Sequence, residues 1–138
     1  MPIVKGLIRK EDNNTLSFGD YTLDTKTKIC DFEFKGDLYK IKTFHEITKL
    51  KKNGILVYES MPGTAVNEFC ATSEEVSFKV EGPEDAQITL ELEPEQVYKI
   101  NIGEECIGEV KTNLGGKLAL SVPLENGEIV CVKVVKMA

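Results

Sequence analysis

Apolar side chains recur at alternate positions along most of this chain, and turn-forming clusters interrupt them about every ten residues. That period gives each segment one wet and one dry face, which restricts the fold to stacked β-layers. Val76, Phe78 and Val80 alternate, as do Ile88, Leu90 and Leu92, then Tyr98, Ile100 and Ile102, then Leu118, Leu120 and Val122. Between Leu38 and Phe44, Tyr39, Ile41 and Thr43 share one face while Leu38, Lys40, Lys42 and Phe44 take the other. Further strands are expected at Ile3–Ile8, at Leu16 and Phe18 with Tyr21 and Leu23 beyond, at Asp31–Phe34 and at Ala65–Cys70. Ile55–Tyr58 and Ile129–Val135 are apolar at consecutive positions and read as strands buried on both faces.

The turns carry their own signals. Asn53-Gly54 and Asn126-Gly127 suit two-residue hairpins, because both central residues of that turn need positive φ. Lys35-Gly36-Asp37, Gly82-Pro83-Glu84-Asp85, Gly103-Glu104-Glu105 and Leu114-Gly115-Gly116 mark other reversals, while Met61-Pro62-Gly63 and Pro94 end strands. Apolar residues nowhere recur at helical spacing over a dozen positions, so at most one short helix is allowed, near 44–50, where Phe44, Ile47 and Leu50 fit a turn of helix. The expected fold is all-β: an antiparallel β-sandwich or two small packed β-layers of about ten to twelve short strands, the C-terminal half a meander. The segment Ala71–Glu75 is the candidate division between an N-terminal β half, 1–72, and a C-terminal half, 73–138, packed together as one unit.

Charge narrows the functions. The chain has 23 acidic and 17 basic residues, a net charge of −6, with Arg9 its single arginine and its lysines read as scattered among carboxylates. Polyanions demand clustered cations, so nucleic acid and anionic membranes are not expected as partners. No apolar run reaches the ~20 residues of a membrane span and Met1–Gly6 has no signal-like apolar stretch, so the expected compartment is the cytoplasm, with signal-less export or surface association as the alternative. Cys30, Cys70, Cys106 and Cys131 lack zinc-ligand spacing and read as free thiols, Cys106 and Cys131 behaving as small core hydrophobes.

No convergent set of reactive groups is apparent. His45 is the single histidine, and no Gly-x-Ser-x-Gly elbow accompanies it. Glycoside hydrolysis needs two carboxylates roughly 5 to 10 Å apart, and Glu46 and Glu59 are the pair that a hairpin at Asn53-Gly54 would set face to face. Asp12-Asn13-Asn14 and Glu84-Asp85 are explained as turns without a metal. The glycines precede no helix and so form no phosphate loop. No catalytic residue, metal or cofactor is assigned. Sugar rings stack on flat aromatic faces, which makes Tyr21, Tyr39 and Tyr58, with Glu46 and Glu59, the candidate binding residues.

Tyr98-x-Ile100-x-Ile102-Gly103, Ile107-Gly108-x-Val110-x-Thr112-Asn113 and Gly115-Gly116-Lys117-Leu118-x-Leu120 resemble the small β-sandwich accessory modules of glycan-active and cell-surface proteins. Gly6-Leu7-Ile8-Arg9, Leu16–Tyr21, Pro62–Val66 and Thr112–Lys117 give the whole chain a resemblance to short bacterial endosialidase-like proteins. Sialidases clamp a carboxylate with several arginines, whereas this chain has one and no Asp-box, so the likeness implies an accessory region rather than an enzyme. The expected function is a non-catalytic structural or assembly module that forms homo-oligomers. A carbohydrate-binding accessory module is the alternative, and a glycan hydrolase stands third.

Overall fold

The computed structural model describes residues 6–125 and 128–137. It contains thirteen strands: β1 (Ile8–Lys10), β2 (Leu16–Phe18), β3 (Thr27–Phe34), β4 (Asp37–Phe44), β5 (Ile47–Lys52), β6 (Ile55–Met61), β7 (Ala65–Ala71), β8 (Glu75–Glu81), β9 (Ala86–Glu91), β10 (Val97–Ile102), β11 (Glu105–Lys111), β12 (Lys117–Val122) and β13 (Val130–Lys136). They form two antiparallel sheets, seven strands in the order β1-β2-β7-β8-β13-β10-β11 and six in the order β12-β9-β6-β5-β4-β3. The fold is the expected all-β sandwich. The described residues hold no helix, hence none long and apolar enough to cross a membrane.

One strand exceeds the expected number, and it is β5. The helical spacing of Phe44, Ile47 and Leu50 is overridden by alternation of Thr48 and Leu50 inward with Lys49 and Lys51 outward, after a two-residue turn at His45-Glu46. Asn53 and Gly54 sit at φ 51° and 84°, so the Asn-Gly turn forms as its chemistry requires. β3 to β6 then run as a four-stranded meander.

The C-terminal half departs from a meander. After the β10–β11 hairpin, β12 pairs with β9 in the other sheet, and β13 returns to lie between β8 and β10. Strands β8 to β13 therefore weave between layers, a feature that alternation within each strand does not encode. β12 and β13 do not pair as a hairpin, and Asn126-Gly127 lies outside the described residues, as does the expected strand start at Ile3 and Val4. β7 and β8 pair as a hairpin across residues 71–75, and each sheet takes strands from both sides of residue 72.

Two strands expected to be dry on both faces are not. In β6, Ile55 is exposed, Leu56 and Val57 are half-buried, and Tyr58 alone of the four is buried. In β13, Val132 and Val134 point inward while Cys131 and Lys133 are exposed. Internal placement in the sheet satisfies the ladder hydrogen bonds of β13, so its apolar run does not by itself require a partner subunit. All four cysteines are free, but Cys106 and Cys131 are exposed, not core.

Tyr58 anchors the core. Its ring meets Phe18, Phe69 and Phe78 edge-on at centroid distances of 5.3, 6.3 and 5.6 Å, an arrangement worth about 1 kcal/mol per pair beyond area burial. Leu16, Ile41, Leu50, Ile88, Leu90, Ile100 and Leu118 fill the surrounding space at near-zero exposure.

Candidate functional site

The outer face of the six-stranded sheet gathers lysines. Alternation turns Lys40 and Lys42 outward from β4 and Lys49 and Lys51 outward from β5, because Ile41, Thr43, Thr48 and Leu50 occupy the inward positions. Antiparallel register sets Lys40 opposite Lys51 and Lys42 opposite Lys49, and it extends the second row to Lys28 on β3. Neighbouring strands lie about 4.8 Å apart, so Lys28, Lys42 and Lys49 form a row of ammonium-bearing positions at that spacing. Lys26 joins them, its Nζ 5.9 Å from the Phe44 ring centroid. A shallow hollow is lined by Lys40, Lys42, Lys49 and Lys51 alone.

The electrostatics register the crowding. Partial burial holds Lys42 below its ordinary pKa, and the positive fields of Lys49, Lys26, Lys28 and Lys51 add to that depression. The one ion pair on this lattice is Lys49–Glu59 at 3.8 Å; among the described residues Lys26, Lys28, Lys40, Lys42 and Lys51 make none within 4.0 Å. The lysines are thus not scattered, as the sequence reading had them. Residues 26–52 hold eight lysines and four carboxylates, a basic island in an acidic chain. The run was visible in the sequence, but its convergence on one face needed the β4–β5 register.

Toward β12 the same face becomes mixed in charge, with Glu59 on β6 and Glu91 on β9, the latter opposite Lys117 on β12. The row Lys28–Lys42–Lys49 continues through Glu59 and Thr89 to Ala119. Gln87 hydrogen-bonds Ser121 one step further along those strands.

The five candidate binding residues do not come together. Tyr58 is completely buried; its hydroxyl lies 2.8 Å from Thr64 Oγ1, and burial drives its pKa far upward. It is a core residue and offers no ring to a sugar, because the alternation of β6 points it inward. Tyr21 is half-buried and donates to Glu81 at 3.0 Å; burial first, then that carboxylate, pushes its pKa up to about 12. Tyr39 lines a cleft at the sandwich end formed by the β3–β4 and β5–β6 turns, with burial and then Asp37 raising its pKa. Glu46 is exposed in the β4–β5 turn, and the residue opposite Glu59 is Lys49, so the two carboxylates are not set face to face. The expected hairpin was right, but Glu46 lies beyond the paired register. His45 is exposed, with Nδ1 3.2 Å from the Leu23 carbonyl oxygen. Among the described residues no group of three or more histidines, cysteines and carboxylates is placed to hold a metal ion.

Neither a protein-family model, nor a curated protein, nor a solved structure matches this chain.

Proposed function

We propose that the chain is a non-catalytic binding module that holds an anionic polymer against the outer face of its six-stranded sheet, with an acidic polysaccharide as the ligand class. The lysine lattice carries this reading. Like charges directly opposite one another in a sheet destabilise it by a few tenths of a kcal/mol per pair, and three such pairs, Lys40–Lys51, Lys42–Lys49 and Lys28–Lys42, sit side by side. Carboxylates in half of those places would stabilise the fold. A polyanion accounts for the lysines through counterion release. Lysine gives point charge without the planar fork that reads phosphates and bases, and the one aromatic ring on this part of the face, Phe44, is covered by Lys26. Bases therefore find no stacking platform, whereas a sugar acid places carboxylates on the lysines and hydroxyls along the Thr89 and Gln87–Ser121 side.

Fluorescence anisotropy with labelled polygalacturonate, neutral dextran and single-stranded oligothymidylate tests this. Polygalacturonate should bind with an affinity that falls linearly on a log–log plot against salt, and dextran should not bind. Combining Lys42→Glu with Lys51→Glu should weaken binding at least about tenfold while raising the melting temperature, because all three repulsive pairs become attractive. Tighter binding of the oligonucleotide would transfer the site to nucleic acid. No binding by either polyanion at low salt ends the reading.

Homo-oligomerisation is the second reading, and the β11 edge of the seven-stranded sheet favours it. Ile107 and Val110 are exposed on that strand, and Leu114 is exposed just beyond it. Exposed apolar residues on an unpaired edge strand suit a self-complementary dimer contact. Light scattering at high concentration should give a dimer that Ile107→Glu with Val110→Glu converts to monomer; a monomer throughout rejects it.

A further inference from the structure

The two sheets separate at the end of the sandwich bounded by the turns at Lys35-Gly36 and Asn53-Gly54 and by the β7–β8 connection. A cleft of about 440 Å³ opens there, walled by Phe34, Tyr39, Leu56, Val57, Phe69 and Leu92. It adjoins a second hollow of about 240 Å³ that shares Val57, Phe69 and Leu92 and reaches Val76, Leu90 and Tyr98. The first volume lies within the ordinary range for small-molecule sites, and apolar walls with a few polar groups at the rim are their usual make-up.

The rim charges are unequal. Lys52 pairs with Asp37 at 3.4 Å, and Asn53 donates to the same carboxylate at 2.9 Å. Lys35 has no ion pair among the described residues; its Nζ lies 5.3 Å from the Phe34 ring centroid, over the cleft wall. Glu91 lines both hollows, and the far one adds Glu75 and Glu93, which pair with Lys133 at 3.9 Å and Lys136 at 2.5 Å. Near the Lys35-Gly36 turn the groove therefore offers an unpaired cation, its far rim carries carboxylates, and hydrocarbon lies between.

We propose that this end of the sandwich binds a single-chain anionic amphiphile, its carboxylate on Lys35 and its tail laid between Val57, Phe69 and Leu92 toward Leu90. The site is separate from the lysine face and stands or falls independently of it. No covalent step is involved.

Isothermal titration with dodecanoate below its micelle concentration tests the assignment. Dodecanoate should bind; octanoate should bind weaker by on the order of a hundredfold, from the hydrocarbon lost. Lys35→Glu should weaken dodecanoate about tenfold and leave dodecanol unaffected. Val57→Trp, which fills the cleft, should abolish binding of both, with Leu92→Trp as a second filling variant should the first fail to give a native far-ultraviolet spectrum and melt. Lys42→Glu should change nothing. Absence of dodecanoate binding, insensitivity to a folded filling variant, or equal loss of dodecanol on Lys35→Glu would overturn the proposal.

Discussion

The two ends of this sandwich are closed by different chemistry. At one end Thr43, Thr48, Ser60 and Thr64 are fully buried and bonded to each other: Thr43 to Thr48 at 2.8 Å, Thr48 to the Thr64 carbonyl at 2.8 Å, and Ser60 and Tyr58 to Thr64 Oγ1, each at 2.8 Å. Among the described residues no buried side-chain nitrogen or oxygen lacks a partner. At the other end buried Thr112 donates to the Glu93 carbonyl at 2.6 Å and accepts from the Gln96 N–H at 3.0 Å, and beside it apolar side chains stand apart around a cleft. A bonded polar network is worth most when every member is satisfied and fails sharply when one is removed. Stability should therefore be concentrated at the threonine end, leaving the hollow end free to accept changes of shape or a ligand.

The largest expected effect comes from the threonine end's closest approach. Gly63 is buried, donates its N–H to the His45 carbonyl at 3.0 Å, and has no room for a side chain, because a Cβ there would overlap the Phe44 carbonyl oxygen. Gly63→Ala must push β4 away from the β6–β7 connection and strain the network behind it. A loss of about 4 kcal/mol is expected in urea unfolding. Gly54→Ala, at the hollow end, meets nothing within 4 Å and bears only the strain of φ 84°, about 1 kcal/mol. Equal losses at the two positions would break the contrast between the ends.

How far this contrast could be read in the sequence depends on which relation is asked for. Alternation is local, so the inward faces of Ile41 and Thr43, of Val76, Phe78 and Val80, and of Leu118, Leu120 and Val122 were legible. Asn53-Gly54 was legible because its turn needs those residues. Sheet membership was not, since β12 and β13 alternate in the same way whether they pair with one another or with β9, β8 and β10. Tyr58 was misjudged as a displayed ring because a tyrosine in an apolar run fits either an interface or a core with a buried hydroxyl partner, and that partner, Thr64, lies beyond a proline break. The lysines of 26–52 were visible as composition, but a count cannot say that Lys42 faces both Lys28 and Lys49. Distance along the chain hid the site more than chemistry did.

Tyrosine hydroxyls sharpen the contrast on a smaller scale. Tyr58→Phe removes a group bonded to buried Thr64 and should destabilise by about 1 to 2 kcal/mol. Tyr39→Phe, at the cleft, should stay within about 0.5 kcal/mol. The pH dependence separates them further. Burial raises the folded-state pKa of Tyr58 far more than that of half-buried Tyr39, so the fold favours the neutral phenol and the unfolded chain releases its proton first. That stabilisation is complete below the ordinary tyrosine pKa of 10.0 and is lost as pH rises above it, with Tyr21 contributing in the same sense up to about 12. Thermal melts between neutral pH and pH 11 should therefore show wild type and Tyr39→Phe falling steeply above pH 10, while Tyr58→Phe starts lower and falls less. Parallel curves for all three would mean that Tyr58 ionises as freely as a surface tyrosine, and the threonine end would then be no tighter than the hollow one.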